Sequence, residues 1–212
     1  MKVFKDTGNQ EQSAYFGWQN KNDALFMLRE GYKNGADDLV EIAIEKGDIK
    51  TLDTYIFPIL FSYRHCLEIS LKNIYMRVFG KMLTGGHDLI GLWDVIKKEI
   101  VDGMICSEEF VKQTELQKKN FILYKFDKTE CVKIRSMLKE LQEANQKETE
   151  AMPSKKQVDQ KAEVWRYLIS RDENLFFTQT HFVDYYALKE GVDYIYQTLG
   201  YIYYIMDEYL SG

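Results

Sequence analysis

Between residues 53 and 79 the apolar side chains Ile56, Leu60, Tyr63, Leu67, Leu71, Ile74 and Val78 recur at intervals of three and four, the spacing of a helix face packed into a bundle. At about 100° per residue, Arg64, His65, Glu68 and Lys72 gather in a different arc roughly a quarter-turn wide. An apolar stripe beside a polar one predicts a central, mostly buried helix. Asp53 or Thr54 is placed to cap it, Pro58 predicts a kink or a late start near Phe57, and Gly80 ends it.

The flanking pattern is helical as well. From 20 to 46, Ala24, Leu25, Leu28, Tyr32, Ala36, Leu39, Val40 and Ala43 keep the helical period, with Asn20 or Asn22 as cap and Gly47 as stop. Gly31 and Gly35 within it predict a bend or a close backbone approach. After the glycine pair 85 and 86, His87 or Asp88 can cap a helix running to about 101 through Leu89, Leu92, Trp93, Ile96 and Ile100. Ser107 followed by Glu108 and Glu109 reads as another start, with a break near Asp127 and a further helix from 127 to 145. A last helix, rich in tyrosine, spans 183 or 184 to 210.

Three stretches break the period. Residues 1–19 form an N-terminal arm whose Tyr15, Phe16 and Trp18 are expected to bury against the body, and 146–161 is a polar, charged surface loop. Alternation at Trp165, Tyr167 and Ile169, a turn at 171–174 and then Leu175-Phe176-Phe177 predict a small β-hairpin over 164–180. The fold class is therefore mainly α, a single antiparallel helical bundle over 1–212 with one small hairpin.

Composition narrows the function classes. A net charge of -5 argues against a surface coated for nucleic acid, while leaving room for a local basic groove. Cys66, Cys106 and Cys131 are odd in number and lack metal-ligand spacing, so they read as reduced thiols; no metal and no cofactor is expected. The polar first residues and the absence of a long apolar run predict a cytoplasmic protein with no membrane contact. No Walker A, dinucleotide-binding, HExxH or nucleophile-elbow motif occurs, which disfavours the common enzyme classes.

The elements Tyr63-Arg64-His65, Glu68, Leu71-Lys72 and Gly86-His87-Asp88-Leu89 with Trp93 resemble the bacterial HEPN superfamily, helical-bundle proteins of conflict, toxin and phage-defence systems. Trp165-Arg166-Tyr167 is similar to an aromatic-Arg-Tyr element that accompanies a HEPN-like subset. The resemblance covers about forty residues of the centre of the chain. It implies a homodimeric all-α bundle, RNA or a nucleotide as ligand, an antitoxin as partner, and in catalytic members RNA cleavage without a metal. Those members separate an Arg from a His by four to six residues. Here Arg64 directly precedes His65, and Arg77 to His87 and Arg171 to His181 are wider than that spacing.

Metal-free RNA cleavage needs a base for the 2′-hydroxyl, an acid for the leaving 5′-oxygen and a cation for the phosphorane charge. Arg64, His65 and His87 are the candidate catalytic set, because imidazoles exchange protons near neutrality and a guanidinium grips phosphate with paired donors. Glu68, Lys72, Asp88 and Arg166 are candidates for binding or orienting. The same residues admit a structural account: Arg64, Glu68 and Lys72, four apart, form a helical ion-pair ladder, His65 is a core histidine, His87 or Asp88 is a cap, and Arg166 packs on its aromatic neighbours. Under that account the chain is a non-catalytic scaffold or interaction module. Convergence of Arg64, His65 and His87 on an open cleft favours the ribonuclease, and pairing inside one chain favours the scaffold.

Overall fold

The computed structural model describes residues 8–116, 128–143, 159, 161–177 and 179–211. They form α1 (Lys21–Lys46), α2 (Ile49–Phe79), α3 (Leu89–Ile96), α4 (Glu108–Leu116), α5 (Lys128–Gln142), α6 (Val164–Tyr167) and α7 (Tyr185–Ser211), with no strand among them. The chain is thus mainly α, and α2 is its axis. Helix α1 doubles back into α2 through Gly47 and Asp48, while α3, α6 and α7 pack on other sides of α2.

Because α2 is surrounded, its buried residues extend past the predicted stripe of Leu60, Tyr63, Leu67, Leu71 and Ile74 to Cys66, Ser70, Asn73 and Met76. Trp93 and Ile96 of α3 and Leu199 and Ile202 of α7 complete the core against it, all fully buried. Full burial of a large aliphatic or aromatic side chain contributes about 1.5–3 kcal/mol, so this seam dominates the stability of the bundle.

Several expectations shift at the ends of elements. Helix α2 begins earlier than Asp53, because Asp48 accepts from the Thr51 amide at 2.9 Å and from its hydroxyl at 2.6 Å. Pro58 therefore lies well inside a helix that continues through it, on an exposed position. Gly31 and Gly35 face open space, with no neighbouring atom within 4 Å of where a Cβ would stand, so neither serves a close approach. Asp88, not His87, caps α3 by accepting from the Gly91 amide at 3.1 Å. Beyond Ile96 the backbone does not stop at 101 but widens into π-helical turns over Lys97–Ile105, which bury Ile100, Val101 and Ile105. Ser107 caps α4 where the sequence places a helix start, and Asp184 caps α7 by accepting from the Ala187 amide.

Two expectations are corrected. Tyr15, Phe16 and Trp18 do not bury: they are 86, 74 and 61 % exposed, in a segment whose regular structure among the described residues is a 3₁₀ turn at Gln10–Gln12. Among the described residues of 164–180 no strand forms, so the expected β-hairpin is not seen there. Val164–Tyr167 close into a helical turn, held by the Arg166 guanidinium on the carbonyls of Ala162 (2.6 Å) and Lys161 (2.7 Å), and a lone antiparallel bridge, Ile169 with Leu175, is all the β pairing that follows. The predicted surface loop falls mostly outside the described residues, as does the break near 127, but its described Asp159 is buried rather than superficial.

Candidate functional site

The polar arc of α2 is built around Glu68. Its carboxylate is 2 % exposed, and the residues one helical turn away on either side reach it: Lys72 Nζ donates to Oε1 at 2.7 Å and Arg64 Nη1 stands 3.7 Å from Oε2. The turn between α2 and α3 supplies the next partner. Gly86 adopts a left-handed backbone (φ 64°), which an L side chain resists, and so lets the chain fold back to set His87 over α2. His87 Nδ1 then lies 3.0 and 2.9 Å from the two carboxylate oxygens.

Burial raises the proton affinity of Glu68, but the interactions with His65, Lys72 and His87 together outweigh it and hold the carboxyl down at about 2. The group is therefore an ionised acceptor at neutral pH. Since a carboxylate has no proton to give, Nδ1 of His87 is the donor in that contact, and Nε2 is the nitrogen left over. The His87 side chain is 43 % exposed.

Arg64 points away from solvent. It is 2 % exposed, and its Nη2 donates to the backbone carbonyls of His87 at 2.7 Å and Asp159 at 2.9 Å. Burial pulls its guanidinium below the ordinary value, opposed by the charges of Asp159 and Glu68. Its Nε, like Oδ2 of Asp159, has no hydrogen-bond partner among the described residues. The arginine thus pins the α2–α3 turn and the chain at Asp159 to the central helix.

The other predicted residues divide between this cluster and its surroundings. His65 shares the arc but is 3.8 Å from Glu68, too long for a hydrogen bond, because its ring stacks on Phe61 (centroids 5.6 Å apart) and meets Tyr32 edge-on at 4.6 Å. Asp88 accepts from Gly91 and from Gln142 Nε2 (2.8 Å), joining the cap of α3 to α5. Arg166 turns to its own backbone and lies over the Tyr167 ring at 5.4 Å. The structure therefore brings Arg64, Glu68, Lys72 and His87 together, sets His65 at their edge, and leaves Asp88 and Arg166 outside direct contact.

Two features lay beyond sequence reasoning. The Asp159 carbonyl, 95 residues from Arg64, carries no signal in the sequence. A second charged cluster, Lys33 and Asp37 with Lys189 and Asp193, was signalled only by two separate pairs spaced four apart. The tyrosines of α7 are held in similar ways: the hydroxyls of Tyr194 and Tyr196 donate to Glu130 and Glu30. Among the described residues no group of three His, Cys, Asp or Glu side chains is arranged to hold a metal, and no helix is long and apolar enough to cross a membrane.

No family model, no curated protein and no solved structure matches this chain.

Proposed function

We propose that the chain is a HEPN-like helical bundle that works as a non-catalytic interaction module, with the cluster around Glu68 holding the bundle together. One observation carries this reading: Arg64 and Glu68 are each 2 % exposed, and the guanidinium is engaged by Glu68 and by two carbonyls of its own chain. A cation that stabilises a phosphorane must present its donors to the substrate. Here a phosphate would have to displace the His87 and Asp159 carbonyls from a buried position, at the cost of leaving both unpaired. The clustering of the resemblance-bearing residues in one packed region, with Trp93 fully buried behind them, supports the HEPN-like part of the reading.

A second reading has one observation in its favour. A carboxylate-oriented, half-exposed His87 beside Lys72 has the form of an acid–base group, as metal-free RNA cleavage in a phage-defence or toxin–antitoxin setting requires. The two separate in an RNA cleavage assay on wild type, Arg64→Ala, His65→Ala and His87→Ala at dimer-favouring concentrations, with folding followed by circular dichroism. The interaction module predicts no cleavage by any of them and a large loss of stability in Arg64→Ala. Cleavage by wild type that disappears in folded His87→Ala overturns it.

A further inference from the structure

Away from Glu68, a cavity of about 600 Å³ opens between the first turns of α2, the chain after α6 and the approach to α7. That volume lies within the range of roughly 300–1,000 Å³ usual for small-molecule sites. It is lined by the aromatic residues Phe57, Trp165, Phe177, Phe182 and Tyr185, by Asp53 and by His181, and no lysine or arginine lines it among the described residues. Leu60, 4 % exposed, is part of its aliphatic floor.

The arrangement selects by charge. Trp165 and Phe177 are tilted partners with centroids 5.1 Å apart, and His181 meets Phe177 edge-on at 5.2 Å, so the aromatic wall is braced from within. The Tyr185 hydroxyl donates to the Leu52 carbonyl at 2.5 Å; its hydrogen is committed to the backbone. Aromatic faces carry negative electrostatic potential and attract cations, most strongly where water is excluded. Asp53 adds a full negative charge at the same wall. A primary ammonium would lose a tight hydration shell on entering such a cavity, whereas an alkylated one, with a diffuse charge inside an apolar shell, loses little.

We infer that this cavity binds an organic cation, an alkylated ammonium carried on an apolar or aromatic body, with the cation among the aromatic faces and Asp53 as its counter-charge. The site is separate from the Glu68 cluster and does not depend on the role given to it. An anionic ligand is repelled by Asp53, and a neutral apolar one gains burial but no charge term.

The test is calorimetric titration of the full chain with para-trimethylammoniophenol and with para-tert-butylphenol, a neutral compound of nearly the same shape. The cation is expected to bind about tenfold more tightly, the equivalent of one partly desolvated cation–π contact. Asp53→Asn and Phe182→Ala, both at exposed positions where folding is insensitive, should each weaken the cation several-fold and leave the neutral compound nearly unchanged in the first case. Equal affinity for the two compounds, or a preference for the neutral one, overturns the proposal in favour of a merely apolar pocket. Binding that neither variant alters, or no heat from either compound at millimolar concentration, overturns it as well.

Discussion

Two charged clusters pack against α2, and they are balanced differently. On one, Lys33 Nζ lies 2.5 Å from both Asp37 and Asp193, Lys189 lies 2.9 Å from Asp193 and 3.7 Å from Asp37, and the Tyr63 hydroxyl donates to Asp37 at 2.7 Å. Two cations and two anions close on themselves, and in doing so they tie α1, α2 and α7 together. On the other, the single carboxylate of Glu68 faces Arg64, Lys72 and two imidazoles, and Nη2 of Arg64 turns to backbone carbonyls from distant segments. A square of side chains needs only helices with residues four apart. A cluster with one anion at its hub needs loops brought in, and so its integrity reports on tertiary structure that no single helix encodes.

The comparison is tested most severely by removing the hub. Glu68→Ala removes the carboxylate paired with Arg64 and leaves the charge of Asp159 to offset the buried guanidinium, so the loss should approach the low end of the roughly 3–5 kcal/mol typical of a broken buried pair. Urea unfolding of this variant should show that loss; a change below about 1 kcal/mol would mean that the carbonyls alone satisfy the arginine. Acid titration probes the same point without mutation. The folded Glu68 carboxyl sits at about 2 against a usual value of 4.5, so its contribution is complete above about 4.5 and is lost as pH falls through about 2. The difference corresponds to about 3 kcal/mol. In Glu68→Gln that part of the acid dependence should be absent, and identical acid profiles for wild type and variant would refute the assignment.

How much of this was legible follows from which contacts are local. The apolar period of α2 and the ladder of Arg64, Glu68 and Lys72 are written in spacings of three and four, and both are present as read. The glycines 85 and 86 announced a turn, but not that its His87 carbonyl would face Arg64, because that depends on the angle at which α3 leaves. His65 was placed with the cluster by helical phase alone; it lies at the edge of the arc, where Tyr32 and Phe61 compete for its ring. At 164–167 the alternation was misleading, since in four residues a two-residue period cannot be told from one helical turn. The exposed Tyr15, Phe16 and Trp18 show the opposite failure, where aromatic composition without a period says nothing about what covers it.

The balanced cluster should tolerate the loss of one anion better than the hub does. In Asp193→Asn, Lys33 and Lys189 both retain Asp37, so the expected cost is one charge-assisted hydrogen bond network partner, about 1–2 kcal/mol. The Asp193 carboxyl is held below its usual range by Lys33 and Lys189 against the opposing effect of burial, so part of this cost should fade in acid. Stability measurements that place Asp193→Asn at or above Glu68→Ala would reverse the ranking of the two clusters and remove the distinction between a closed square and a hub.

The smallest effect is expected at His87, and it is the most discriminating. Truncation to Ala removes the imidazole donor from Glu68 but leaves Lys72 and Arg64 beside the carboxylate, and it leaves the backbone carbonyl that receives Arg64. Because the ring is 43 % exposed, solvent replaces much of what is lost, and the cost should stay within about 1 kcal/mol. Arg64→Ala, by contrast, should cost about 3–5 kcal/mol, since it strands both carbonyls and weakens the hub. The pair of variants therefore separates what the His87 backbone does from what its side chain does. If the imidazole matters only for packing, His87→Ala is a mild stability variant and nothing else. If it matters for chemistry, the same substitution abolishes an activity while unfolding barely moves, a combination that a structural role for the ring cannot produce.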